Sequence, residues 1–311
     1  PDETFKAFVD ACHQRGIAVI MDIALNHSFG QSPMVRLYNE GNFGSPLPEN
    51  PWFNVFARHP FNVGYDMNHE SAATQYFVDR VTSYWIREYH IDGYRFDLSK
   101  GFTQRFSAGV SAWNQYDESR VRLLKRMADQ MWAIDSTAYV ILEHLGEWDE
   151  EKVLADYGMM LWGKMNHEFG QASMGYLTGS DVGGNYYKIH GWDVPHRVTY
   201  MESHDEPWIM YNSRQYGNHS GNYDIRHLDV GLERIELISS FFLLVPGPKM
   251  VWQFWELGYD QNLPEGAART APKPILWNYY HVPARQKLYK TASAILDLRH
   301  THPLFHDISS D

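Results

Sequence analysis

The sequence predicts an α/β protein of the TIM-type (β/α)8 barrel class, incomplete, with six strands visible. Three observations predict it. Helical and strand patterns alternate along the chain, the strands read as short apolar runs, and polar residues collect where those runs end.

Phe5, Phe8, Val9 and Cys12 recur at helical spacing from a helix expected to begin at Pro1, and Gly16 stops it. The run Ile17 to Ile23 then reads as a strand buried on both faces. From Ser28 to His69 the chain is rich in Pro, Asn and Gly and has no sustained periodicity. This predicts a loop-rich insertion over 28–69, between a first piece of barrel at 1–27 and the remainder at 70–311. Helical spacing returns over Glu70 to Tyr89 through Phe77, Val81, Tyr84 and Trp85, and His90 to Phe96 is the next strand. Val121, Leu124, Ala128, Met131 and Trp132 mark the helix before a third strand, Ala138 to Leu142. Met159 to Trp162 gives a fourth and Arg197 to Glu202 a fifth. The apolar helix Leu232 to Val245 and the break Pro246-Gly247-Pro248 precede the sixth, Lys249 to Phe254. Leu288, Ala292, Ile295 and Leu298 mark a closing helix.

Composition narrows the function classes. With 311 residues, 44% hydrophobic and 21% charged, the chain fits one large globular domain. A formal net charge of -11 without a Lys/Arg-rich run argues against a nucleic-acid partner. The absence of a run of about 18 apolar residues predicts no membrane segment. Aromatic side chains make up 15% of the chain, more than a core requires and suited to stacking on sugar rings. The lone Cys12 cannot form an internal disulfide and is expected to be buried and unreactive.

Four strand ends carry polar runs. They are Asp22-Ile23-Ala24-Leu25-Asn26-His27, Asp92-Gly93-Tyr94-Arg95-Phe96-Asp97-Leu98-Ser99-Lys100, Ile141-Leu142-Glu143-His144 and Glu202-Ser203-His204-Asp205-Glu206. Each alone could be a helix cap, but parallel barrel strands bring their carboxyl ends to one rim, so four in order point to a site.

In order and spacing these runs resemble the four short motifs of the α-amylase family of glycoside hydrolases. The resemblance covers most of the chain and implies a retaining hydrolase acting on α-glucan oligosaccharides or polysaccharides through a covalent glycosyl-enzyme intermediate. It implies Asp97 as nucleophile, Glu143 as general acid/base and Asp205 as the carboxylate gripping the sugar, with His27 and His204 bonding to the same ring. Arg95 would keep Asp97 ionised, and Lys100 would bind substrate from the end of its run. The resemblance implies no required cofactor. Asn26 matches a calcium-ligand position, though one Asn needs further oxygens from the insertion to hold the ion.

The chemistry agrees with these roles. Retaining cleavage needs two carboxyl groups about 5–5.5 Å apart, one ionised and one protonated. Asp97 has Arg95 at i−2 on the same strand face, whereas Glu143 follows Val140-Ile141-Leu142 with His144 as its only basic neighbour in sequence. A raised pKa at Glu143 is therefore expected.

Departures from the family leave matters open. Gly101 follows Lys100 where many amylases have His, and Glu147 in Gly146-Glu147-Trp148-Asp149 is a rival general acid. The first matching motif normally ends the third strand, so two strands are expected ahead of Pro1, and open sheet edges are expected to favour self-association. Glu202-Ser203-His204-Asp205-Glu206 resembles branching enzymes while Arg95-Phe96-Asp97-Leu98 resembles debranching ones, so a transglycosylating enzyme is the alternative to hydrolysis. A non-catalytic binding scaffold would be expected to lose carboxylates, and all three are present. A metal-hydrolase cluster of Asn26, His27, Glu143, His204 and Asp205 would leave the Arg95–Asp97 pair unexplained. Pro51-Trp52-Phe53 and Met250 to Trp255 could line sugar subsites or pack in the core.

Overall fold

The computed structural model describes residues 2–61, 63–263 and 271–306, and Pro1, the expected start of the first helix, lies outside them. The chain divides into two compact units, Pro1–Trp162 and Gly163–Asp311.

The first unit opens with α1 (Asp2–His13), whose Asp2 and Glu3 suit the positive end of the helix dipole. Cys12 on this helix is half-buried and free, so the expectation of full burial is corrected. Strand β1 (Ile20–Ala24) starts three residues later than the apolar run suggests, because the Ile17 amide still bonds back to the Cys12 carbonyl at 3.0 Å and its side chain is exposed. None of its five residues is fully buried, which also corrects the two-faced burial expected of it. Between 27 and 66 the ordered elements are short: β2 (His27–Ser28), α2 (Pro33–Arg36) and β3 (Tyr65–Asp66), with β2 and β3 paired antiparallel. Val35, Phe53 and Met67 form a small buried cluster there, with Trp52 packed against it. Core packing accounts for both Trp52 and Phe53.

Helix α3 (Ala72–Tyr89) is capped by Ser71, whose hydroxyl accepts from the Ala73 amide. It ends at His90, which takes left-handed φ 55 and ψ 36 and so caps the helix instead of opening the next strand. That strand, β4 (Gly93–Asp97), is buried from Gly93 to Phe96. Tyr94 and Phe96 are fully enclosed, each contributing about 1.5–3 kcal/mol relative to exposure, and the Tyr94 hydroxyl is satisfied on the Thr82 carbonyl at 2.9 Å. Helices α4 (Val110–Asn114) and α5 (Glu118–Trp132) follow, then β5 (Tyr139–Leu142), α6 (Trp148–Tyr157) and β6 (Met160–Lys164). Strands β1, β4, β5 and β6 pair in parallel in that order. The register sets Asp22 beside Arg95, Ala24 beside Asp97, and Phe96 beside Leu142, one residue before Glu143.

The second unit contains α7 (Asn166–Met174), β7 (Arg197–Tyr200), α8 (Ile209–Tyr216), the antiparallel pair β8 (His219–Ser220) and β9 (Tyr223–Asp224), α9 (Leu228–Leu243), β10 (Lys249–Met250) and α10 (Pro283–Thr301). Strands β7 and β10 are parallel neighbours. Strand β10 is two residues long, not the six that its apolar run predicts, and Phe254 at φ 62 turns the chain into a short 3-10 segment, Trp255–Leu257. The core of this unit joins Phe169, Met210, Leu232, Phe242, Trp255 and Leu288.

Candidate active site

Arg95 organises the carboxyl ends of the first unit's strands. One terminal nitrogen lies 2.7 Å from Asp22 and 3.0 Å from Asp97, and the other lies 2.7 Å from Glu143. The guanidinium also sits 4.1 Å over the Trp162 ring. Burial alone would lower its pKa, but Glu143, Asp22 and Asp97 outweigh that and raise it, so the charge is permanent. Glu143 was expected to have no basic neighbour but His144. Arg95 is that neighbour, because β4 and β5 are adjacent and in register.

Backbone strain flanks both carboxylates. Leu98, directly after Asp97, takes φ 43, and Leu145, two residues after Glu143, takes φ 53. Non-glycine residues in this region cost of order 1–3 kcal/mol and persist where surrounding contacts hold them. The Leu98 amide, turned by this geometry, donates to Glu143 Oε2 at 3.0 Å. The Leu145 carbonyl accepts from Lys100 Nζ at 2.6 Å.

Asn26, fully buried, donates through Nδ2 to the Asp97 carbonyl at 2.8 Å and to Asp97 Oδ2 at 3.2 Å. Its Oδ1 therefore faces His27 Nδ1, 2.5 Å away, and that nitrogen must carry the proton. Burial lowers the His27 pKa, with His59 adding to it and Asp97 and Asp66 opposing. In the neutral ring Nε2 is then left as an acceptor.

Lys100 is not presented outward. It is buried, bonded to Asn114 Oδ1 and the Leu145 carbonyl at 2.6 Å each, and stacked 4.3 Å over Trp113. Burial, with Arg120 nearby, lowers its pKa to about 8. The substrate-binding role expected of it is corrected to one of holding the two strand-end loops together. Glu147 is exposed at the start of α6 and is not among the carboxylates that Arg95 pairs with.

In the second unit, His204 Nε2 and Asp205 Oδ2 are 3.4 Å apart and both side chains are 42% exposed. The Ser203 hydroxyl bonds to Glu206 and accepts from the Asp205 amide at 3.1 Å, so this turn is tied internally. Glu202 beneath it is buried, and burial, with the charge of Glu256 adding, pushes its carboxyl up to about 8 against the donation it receives from the Ile209 amide at 2.7 Å. Trp252 approaches His204 with ring centres 6.0 Å apart, while Trp255 is core.

No family model matches the chain. The glycogen debranching enzyme of Klebsiella pneumoniae (strain 342) is 23% identical over 289 residues, covering 84% of this chain and 43% of the relative. A pullulanase from Paenibacillus barengoltzii, solved with maltohexaose and α-cyclodextrin, superposes with TM-score 0.70 at 18% identity over 97% of this chain and 47% of its own. An α-amylase from H. orenii superposes with TM-score 0.66 at 18% identity, over 98% of this chain and 67% of its own. These relatives and structures are enzymes of the α-amylase family, and the chain is similar to them in sequence and in fold. Its fold is an incomplete (β/α)8 barrel, and it spans less than half the length of the debranching relative it matches.

The family motifs lead to Asp97, Glu143, Arg95, His27, His204 and Asp205, but they do not lead to what holds them. Asp22 as a second carboxylate on Arg95 could have been found from its place opposite Arg95 across β1 and β4. The buried chain behind Glu143 had no local signal. Ser99 bonds to the Glu143 carbonyl through its amide at 3.0 Å and its hydroxyl at 3.1 Å, and that hydroxyl is 3.0 Å from His144 Nδ1. His144 Nε2 is 2.7 Å from Glu150, which grips Arg120 at 2.6 and 2.8 Å. Burial lowers the His144 pKa more than Glu150 raises it, so the ring is neutral and donates from Nε2.

This chain gives a prediction about acid stability. Burial alone would raise the Glu150 pKa, yet bonds from His144 and Arg120 bring it from 4.5 to about 2. A depressed carboxyl stabilises the fold above its unfolded pKa, and that contribution is lost as pH falls from 4.5 towards about 2. Glu150→Ala strands Arg120 as a buried unpaired charge and should cost about 3–5 kcal/mol at neutral pH. Urea unfolding at a series of pH values should show the mutant with a flatter acid limb, and a parallel limb would mean Glu150 is not the titrating group.

Proposed function

We propose that this chain carries the catalytic site of a retaining α-glucan hydrolase. The observation that supports it most is the gathering of Asp97 and Glu143 onto one guanidinium at neighbouring strand ends. Asp97 attacks the anomeric carbon as Glu143 gives its proton to the departing glycosidic oxygen. Glu143 then takes a proton from water, whose oxygen breaks the Asp97 ester and leaves the α configuration restored. One guanidinium cannot balance Asp22, Asp97 and Glu143 together, so a single proton within the cluster relieves repulsion. Glu143, with the least exposed side chain of the three, at 11% against 28% and 64%, is its proposed holder. Asp205 and His204 are carried as sugar-binding groups on the family resemblance, and His27 as an acceptor.

Soluble starch digested by the chain and followed by proton NMR should first release the α anomer. Release of the β anomer would overturn the retaining mechanism. New α-1,6 links in the products would favour the branching alternative, to which the Glu202–Glu206 string is similar.

The finer expectation of calcium at Asn26 does not suit the donors present. Its oxygen is engaged by His27, its nitrogen faces Asp97, and no group of three or more His, Cys, Asp or Glu side chains arranged to hold a metal occurs among the described residues. No described helix is long and apolar enough to cross a membrane. Self-association is proposed through β1, which pairs only with β4 among the described strands of its unit. Light scattering should find a dimer or larger species, and a monomer at all concentrations would remove this part.

A further inference from the structure

We propose that Glu202 is a positioning residue for the candidate active site: its neutral, buried carboxyl clasps the end of β7 to the start of α8 and so fixes the turn that carries His204 and Asp205. The role of that turn rests on the α-glucan reading above; the clasp does not. Glu202 Oε1 accepts from the Ile209 amide at 2.7 Å. That amide opens α8, and Trp208 at the cap position supplies no side-chain bond, so the helix takes an acceptor from a residue seven positions upstream. A change at Glu202 therefore reaches both ends of the turn.

The surroundings do not suit a charge. Glu202 is 3% exposed, and Met201, Phe242, Met250, Val251, Trp252 and Trp255 wall the same narrow space, too small to admit a water. Its Oε2 has no hydrogen-bond partner among the described residues, and the buried indole nitrogens of Trp252 and Trp255 have none either. Nearby charged groups give no relief. Glu256, on the 3-10 segment after β10, is a second acid whose charge opposes ionisation. Glu206, on the turn itself, is engaged by Lys164 and the Ser203 hydroxyl, and Lys249, on β10, faces the charges of Arg299 and Arg197. From α9 comes only the Phe242 ring. An ionised carboxylate with a bare buried oxygen costs far more than one helix end returns.

Consistent with this geometry, burial pushes the Glu202 carboxyl up to about 8, and burial raises that of Glu256 as well. Ionisation above that pH draws Oε2 toward a donor, and the indoles on its walls are donors. Trp252 also approaches His204, with ring centres 6.0 Å apart, so its movement reaches the site.

The test pairs thermal unfolding with sugar binding. A carboxyl raised from 4.5 to about 8 contributes its full stability below pH 4.5 and loses it as pH rises to about 8. Glu202→Gln keeps the acceptor for Ile209 and cannot ionise. Its thermal midpoint should match that of the unmutated chain near pH 4.5 and rise above it progressively towards pH 8. Isothermal titration of maltotriose into the full chain carrying Asp97→Ala should show affinity falling about three- to tenfold between about pH 7 and about pH 9, and adding Glu202→Gln should abolish the fall. A midpoint difference that does not change with pH would overturn the neutral carboxyl. Affinity that stays level to about pH 9, or a fall that survives Glu202→Gln, would overturn the positioning role and leave the hydrolase reading intact. The level-affinity outcome is read on the Asp97→Ala chain alone, so it stands even if the glutamine variant does not fold. Absence of binding at every pH, with no starch turnover by the unmutated chain, would overturn the hydrolase reading, while the thermal comparison still decides the clasp.

Discussion

Asp97→Ala should lower turnover on soluble starch by roughly 10⁴-fold or more, because no glycosyl-enzyme bond can form without the attacking carboxylate. Folding should survive. The Asp97 side chain is partly exposed, and its removal leaves Arg95 paired with Asp22 and Glu143. The thermal midpoint should therefore move little while the rate collapses. Asp97→Asn is the matched control, since it preserves shape and the bond from Asn26 but not the nucleophile. If either variant kept more than about one per cent of turnover, the nucleophile would have to be sought elsewhere, and Asp22, on the same guanidinium, would be the first to test.

Glu143→Gln should cost about 10²–10⁴-fold on starch, the usual contribution of a positioned general acid. The isosteric amide can still accept from the Leu98 amide, so the strained turn after Asp97 is retained. The distinguishing measurement is leaving-group dependence. A glucoside whose aryl leaving group departs without a proton should lose far less in the first step than starch does. Equal losses on both substrates would mean that Glu143 binds sugar and does not supply the proton. Glu147→Gln should behave almost as the unmutated chain, because that side chain lies exposed at the start of α6 and has no part in the Arg95 cluster. Loss of activity there would reverse the assignment.

The sequence pattern matches the structure where burial itself makes that pattern. Strands β4 and β5 and helix α3 lie close to their apolar runs, since their side chains pack on the faces that the spacing marks. It departed at ends, where a single dihedral decides. His90 in the left-handed region turns an expected strand residue into a helix cap, and Phe254 at φ 62 opens a 3-10 turn where the last apolar run predicts strand. The run at Lys249 to Phe254 looked like a strand because apolar residues serve a packed turn as well as a sheet.

The order of amino acids by itself marked the candidate side chains: Asp97 and Glu143 each close a short apolar strand, and that arrangement can be read within a few residues. Tertiary structure alone decided how they are held. Arg95 is shared between Asp22, 73 positions away, and Glu143 on the next strand; Asn26 is spent on orienting Asp97 and His27; and Lys100 is turned inward. The reason is that hydrogen bonds and charge depend on distances in space, and parallel pairing sets those distances between residues that leave no mark on one another in sequence.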